Sequence, residues 1–188
     1  YPNAIVSLAD QVESAYLNSY LKKLASHWDD HLSNGLLDNW TIDGVDNQQG
    51  FYRSVVEPYF SASDDRRMFV IISDALRYEV ADELKSLINS QPSRVEATLT
   101  SQLGVLPSYT KLGMASLLPH KTLTYTDQGF VKADGASTDG LENRNKILSA
   151  VGGFAIQADT LANMSKNDMR ELLYPHKVVY IYHNKIDA

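Results

Sequence analysis

Apolar and polar positions follow two different rhythms along this chain, and the rhythm changes near residue 66. Between residue 4 and about residue 32, Ile5, Leu8, Val12, Tyr16, Leu24 and Trp28 recur at helical spacing, and Leu17, Leu21 and Leu32 widen the stripe. Asn34-Gly35 predicts the stop of that helix. Leu36 to Gly50 is polar and reads as a loop, and Phe51 to Phe60 predicts a short helix interrupted at Pro58. Ser61 to Asp65 is a polar linker and marks the expected boundary. The pattern thus predicts an N-terminal helical segment over residues 1–65 and an α/β part over residues 66–188.

In the second part the apolar run Met68-Phe69-Val70-Ile71-Ile72 enters Ser73-Asp74-Ala75-Leu76-Arg77. Short apolar runs rich in β-branched residues predict a strand buried on both faces of a parallel sheet. Val80, Ala81, Leu84, Leu87 and Ile88 then share a helix side, ended by Pro92. Val95, Ala97 and Leu99 alternate as in a half-covered strand. Thr110 to Leu118 predicts a helix stopped by Pro119, and Thr122 to Thr126 a short strand. Residues 132–140 read as loop, with Asp134-Gly135 a turn. Leu141 to Ala150 predicts a helix ended by Gly152-Gly153, and Phe154 to Ala158 a strand. Ser165-x-x-Asp168 opens the last helix, and Lys177 to Tyr182 is the last strand. Strands alternating with helices imply an α/β fold with a mainly parallel sheet and flanking helices.

Composition narrows the class without choosing the function. A hydrophobic share of 44% supports a packed core in a chain of 188 residues. The net charge of −6 gives no general affinity for nucleic acid or for anionic membranes. The absence of cysteine excludes disulfides, thiolate metal sites and cysteine nucleophiles, and fits a reducing compartment. No apolar stretch approaches the roughly 20 residues of a membrane-spanning helix. Tyr1 in place of Met, and an end just after a strand-like run, lead us to expect a piece of a larger protein.

Three places could carry chemistry. Asp74 follows the first core strand, and ligands in open α/β sheets bind beyond that end of the strands. It suits a hard oxygen ligand to a metal ion; the competing reading is a cap on the next helix. In Pro107-Ser108-Tyr109-Thr110-Lys111 a hydroxyl opens a helix, as a metal-activated nucleophile or as an ordinary N-cap. Ser108 and Thr110 compete for both roles, and Lys111 could meet a phosphate oxygen or solvent. His183 and Asp187 follow the last strand and offer imidazole and carboxylate donors. His27, His31, His120 and His176 show no ligand pattern. The phosphate-binding G-x-x-x-x-G-K-[ST] loop, the G-x-G-x-x-G turn, the G-x-S-x-G elbow and the H-E-x-x-H helix are all absent.

Taken together, these segments resemble the PglZ family, a branch of the alkaline phosphatase superfamily found as the phosphatase-like component of bacterial phage-exclusion (BREX) systems. The similar stretches are Val12 to Leu17 with Tyr20-Leu21, Phe69 to Glu79, Leu106 to Ala115 with Leu117 to His120, and Tyr180 to Ala188. The resemblance implies a truncated alkaline-phosphatase-like core, with the chain cut before the domain's C-terminal half. It implies Asp74 as a ligand to one metal and Asp187 to the other. It implies Thr110 as the nucleophile, itself metal-coordinated when activated, and leaves His183 without a role. Two divalent ions, zinc by expectation, would form a clamp about 4 Å wide. The superfamily's further ligands lie beyond Ala188, so the chain by itself is expected to be inactive.

The expected function is therefore that of a cytoplasmic metal-dependent phosphohydrolase of a phage-defence system, acting on a phosphomonoester or phosphodiester. Its partners would be the ester substrate and other proteins of the defence complex. The alternative is a non-catalytic interaction module on a degenerate phosphatase scaffold, with Tyr16, Tyr20, Trp28 and Phe51 as contact aromatics. A phospho-acceptor switch with Asp74 as acceptor ranks last, because no earlier acidic cluster accompanies it.

Overall fold

A computed structural model describes residues 2–61, 66–92 and 94–187. The chain forms two compact units, Tyr1–Gly44 and Val45–Ala188. The polar linker expected at the boundary falls mostly on residues 62–65, outside the described residues.

The first unit is helical, as the 3.6-residue stripe requires. Helix α1 (Pro2–Ala15) continues through π-helical turns at Tyr16–Leu21 into α2 (Lys22–His31). Gly35, at φ +104°, breaks the run where the Asn-Gly pair predicted a stop, and a last turn, α3 (Leu37–Asn39), follows. The stripe residues Ile5, Leu8, Val12, Tyr16, Leu24 and Trp28 are all exposed. Tyr16 stacks near Tyr20, with ring centroids 5.6 Å apart, and Trp28 meets Trp40 edge-on at 6.4 Å.

The second unit opens with β1 (Asp46–Asn47), within the stretch expected to be loop. Phe51 to Ser61 is helical throughout, with π-helical turns at Tyr52–Val56 leading into α4 (Glu57–Ser61). Pro58 does not interrupt it. The π-helical turns at Tyr52–Val56 directly precede the proline, and the helix runs on past it without a break. Then come β2 (Met68–Ser73), α5 (Tyr78–Ser90), β3 (Gln102–Leu103), α6 (Thr110–Ser116), β4 (Leu123–Tyr125), β5 (Val131–Ala133) and β6 (Ala136–Ser137). The chain closes with α7 (Gly140–Ser149), β7 (Gly153–Gln157), α8 (Ala158–Ala162), α9 (Lys166–Leu173) and β8 (Val178–His183). The central sheet is parallel in the order β2-β8-β7, with Met68 and Gly153 both opposite Val178. A small antiparallel meander, β4-β5-β6, stands beside a short parallel pair, β1-β3. Part of residues 132–140 is thus a hairpin across the Asp134-Gly135 turn.

Two further expectations are corrected. Residues 95–99 are irregular and pair with no strand among the described residues; the Asn89 side chain instead takes both backbone groups of Ala97, at 2.8 and 2.9 Å. Strand β2 is not buried on both faces. Val70 is 9% exposed, but Phe69 and Ile71 are 50% and 67% exposed. On one face the sheet is covered by Tyr52, Val56, Leu118 and Leu148. On the other, Leu161 and Leu173 cover Ile156 and Val179 but leave β2, at the sheet's edge, uncovered.

The buried phenols of β8 differ in satisfaction. The Tyr180 hydroxyl donates to Leu117 O at 2.6 Å, tying the end of α6 to the sheet. The Tyr182 hydroxyl is buried without a well-formed hydrogen bond among the described residues; the Arg144 guanidinium, 4.7 Å from its ring centroid, is its one polar neighbour of note. Removing a satisfied donor strands its acceptor, whereas removing an unsatisfied one relieves a desolvation cost. Tyr180→Phe is expected to cost about 1–2 kcal/mol in urea denaturation and Tyr182→Phe to be neutral or stabilising. The reverse order would show that the Leu117 contact contributes nothing. Burial pushes both phenols' pKa values up, Arg144 moderating the rise at Tyr182. The unfolded phenols ionise near pH ~10 while the folded ones stay protonated, so stability falls as pH rises above that point.

Candidate active site

The C-terminal rim of the sheet gathers the polar groups that the strands deliver. Parallel register puts Ser73 of β2 opposite His183 of β8. Their side chains bond, Ser73 Oγ to His183 Nδ1 at 2.9 Å, and the next amide, Asp74 N–H, donates to His183 O at 3.1 Å. Asp74 is half-buried immediately past this pair, and its Oδ1 accepts from Ala75 N–H at 3.1 Å. Ala75 sits at φ +60°, a left-handed conformation that is uncommon for a residue with a Cβ and clusters at functional sites. The capping reading of Asp74 does not hold, since the N-cap of α5 is Arg77 and no side chain caps it.

Asp187 lies in the exposed turn after β8. That turn is tied to the β7 end of the rim by Lys185 Nζ and Asp159 Oδ1, 3.4 Å apart. Asp74 and Asp187 therefore follow neighbouring strands on the same side of the sheet. Thr110 is on a different element, as the first residue of α6, and is exposed. The cap residue is Tyr109, with no side-chain capping bond, so neither Ser108 nor Thr110 is spent as an N-cap. Lys111 faces Asp139 at 3.6 Å and the Phe130 ring at 5.2 Å rather than bare solvent.

The side chains offer carboxylate, hydroxyl and imidazole donors, which suit magnesium, manganese or zinc. Among the described residues no group of three or more His, Asp or Glu is arranged to hold a metal ion. The donor types suit a metal, but the described residues do not assemble them into one site. Ser73 was not singled out from the sequence; its position beside Asp74 was visible, whereas its partner depends on the β2-β8 register.

A parallel α/β sheet with acids beyond the carboxyl ends of adjacent strands is consistent with an alkaline-phosphatase-like domain. A family model described as the BREX system PglZ alkaline phosphatase-like domain matches residues 51–188, and the chain belongs to that family. It is 48% identical over 185 residues to the alkaline phosphatase-like protein BrxZ of Escherichia coli O9:H4 (strain HS). It is 43% identical over 184 residues to the alkaline phosphatase-like protein PglZ of Bacillus cereus (strain H3081.97). Each alignment covers 97% of this chain but 21% of the relative, so the chain spans about a fifth of the length of these curated relatives. No solved structure matches it. No helix among the described residues is long and apolar enough to cross a membrane.

Proposed function

We propose that this chain supplies part of a metal-dependent phosphohydrolase site in a cytoplasmic phage-defence protein. Thr110 is the nucleophile, and the oxygens of Asp74, Thr110 and Asp187 face the metals. The observation that supports it most is the pair of acids, Asp74 and Asp187, beyond the same end of neighbouring parallel strands. Two divalent ions, zinc by expectation, would when bound supply positive charge to a phosphoryl group and ease ionisation of a hydroxyl. Asp74 is steadied for that role by its own backbone bond to β8. The Thr110 hydroxyl attacks phosphorus, the bond to the ester oxygen breaks, and the hydroxyl proton passes to the leaving alcohol. Water then hydrolyses the phosphothreonine and regenerates the hydroxyl. The remaining ligands are expected from the rest of the full-length protein, whose relatives are about five times as long. Partners would be a phosphate ester and other proteins of the defence complex.

The test is turnover of an aryl phosphate monoester and diester by the full-length protein with added zinc, beside Asp74→Ala. Loss of about 10²-fold or more, with reduced metal content, is the expected result. Undiminished turnover and metal content in the variant would end the assignment. A second reading, a non-catalytic docking module, draws on the exposed apolar stripe of α1 and α2. Full-length protein that carries no zinc and takes up none at micromolar levels would favour it.

A further inference from the structure

Away from these residues, a groove of about 740 Å³ lies among the π-helical turn at Tyr52–Val56, the Pro119–Lys121 loop, the β5-β6 hairpin and the end of α7. It shares no lining residue with the candidate active site. Five ionisable side chains with formal or titratable charge line it: Arg53, Glu57, His120, Lys121 and Asp134. The carboxylate of Asp134 is already engaged. Asp134 accepts from Lys121 N–H at 3.0 Å, and from Thr122 N–H at 2.8 Å and Thr122 Oγ1 at 3.0 Å. Those bonds hold its carboxyl below the usual range, so it stays ionised and occupied. Glu57 likewise has a partner.

The bases are placed differently. Among the described residues the side chains of Arg53 and Lys121 have no partner. The His120 ring donates from Nδ1 to Leu118 O at 2.7 Å, which fixes the ring and leaves Nε2 as its available atom. Asp134 and Gly135, at φ +48° and +85°, form the tight turn of the β5-β6 hairpin, which sets the Asp134 carboxylate against the loop that carries His120 and Lys121. Tyr52, Pro119, Ile147 and Val151 supply apolar walls.

We infer that this groove binds a small organic phosphate, its phosphate on Arg53, Lys121 and His120 and its apolar part on the Tyr52, Pro119 and Val151 walls. The volume is that of a small-molecule site. Arg53 and Lys121 can donate charge-assisted hydrogen bonds to phosphate oxygens, and the His120 Nε2 lone pair can accept from the hydroxyl of a monoprotonated phosphate. The net charge of −6 disfavours a polyanion, which would meet repulsion outside the groove. This inference does not rest on the proposed hydrolase activity.

Calorimetric titration of the 188-residue chain with AMP, inorganic phosphate and adenosine tests it. AMP is expected to bind saturably and more tightly than inorganic phosphate, and adenosine not to bind. Arg53→Glu and Lys121→Glu, both at exposed side chains, should each weaken AMP binding by at least about tenfold with an unchanged thermal midpoint. If either reversal unfolds the chain, Arg53→Gln and Lys121→Gln replace them with the same expectation in sign. Asp74→Ala and Thr110→Ala should leave AMP binding intact. The inference is overturned if AMP gives no saturable heat at millimolar concentration, or if folded charge variants bind it as the parent does. It is equally overturned if binding disappears in Asp74→Ala, or if inorganic phosphate or adenosine binds as tightly as AMP. Aryl phosphate turnover is measured separately, so the groove can fail while the hydrolase reading stands, and the reverse.

Discussion

Alanine at Thr110 is expected to lower aryl phosphate turnover by the full-length protein at least about 10³-fold, while serine retains a substantial part of it. The contrast follows from where the hydroxyl sits. Thr110 is exposed at the first position of α6 and caps nothing, because Tyr109 holds the cap position. The helix is anchored by Leu112, Ala115 and Ser116, all buried, and by Ser116 Oγ donating to Gly113 O at 2.7 Å. Removing the Thr110 hydroxyl therefore leaves the packing untouched, and stability should stay within about 0.5 kcal/mol of the parent. A serine keeps the attacking oxygen and loses only the methyl group. Turnover in Thr110→Ala within a few-fold of the parent would remove Thr110 as nucleophile and turn attention to Ser108, two residues earlier in the same segment.

Adjacent residues of β2 are expected to respond very differently to the same charge. Val70→Asp places a carboxylate in the apolar cluster that includes Tyr180, Leu118 and Leu148. A buried unpaired charge of this kind costs about 4 kcal/mol or more, enough to unfold a domain of ordinary stability. Ile71→Asp puts the same group on the open side of an edge strand, 67% exposed, and should cost less than about 1 kcal/mol in this chain. Circular dichroism melts of the two variants make the comparison directly. Equal destabilisation would mean that the outer face of β2 is covered in solution. In the full-length protein Ile71→Asp has the further use of reporting whether other parts of the polypeptide cover that face.

Much of the local structure was legible in sequence because it depends on near neighbours. The capping box at Ser165 and Asp168 is present as read, with Ser165 Oγ accepting from Asp168 N–H at 3.2 Å. The last strand, the helix after Thr110 and the break at Gly35 also stand where spacing and turn residues put them. The failures involve distant partners. Val95, Ala97 and Leu99 alternate like a strand, but alternation cannot provide a neighbouring strand, and they pair with none among the described residues. Phe69 and Ile71 are as apolar as Val70, so their exposure could not be read from composition; it depends on how far α8 and α9 reach across the sheet. Helix α8, five residues long, is too short for a periodic signal to separate from noise.

The same division applies to the chemistry. The order of residues alone determines that an acid follows an apolar strand at Asp74, that a hydroxyl opens a helix at Thr110, and that His183 and Asp187 trail the last strand. Only the tertiary structure decides that β2 and β8 are neighbours in parallel, which sets Ser73 against His183 and brings Asp74 and Asp187 to one rim. Likewise Arg53, His120, Lys121 and Asp134 carry no common motif, yet line a single groove. The physical reason is range. Turn chemistry and side-chain periodicity act over a few bonds, whereas strand pairing between residues 110 positions apart is settled by the burial of whole faces at once.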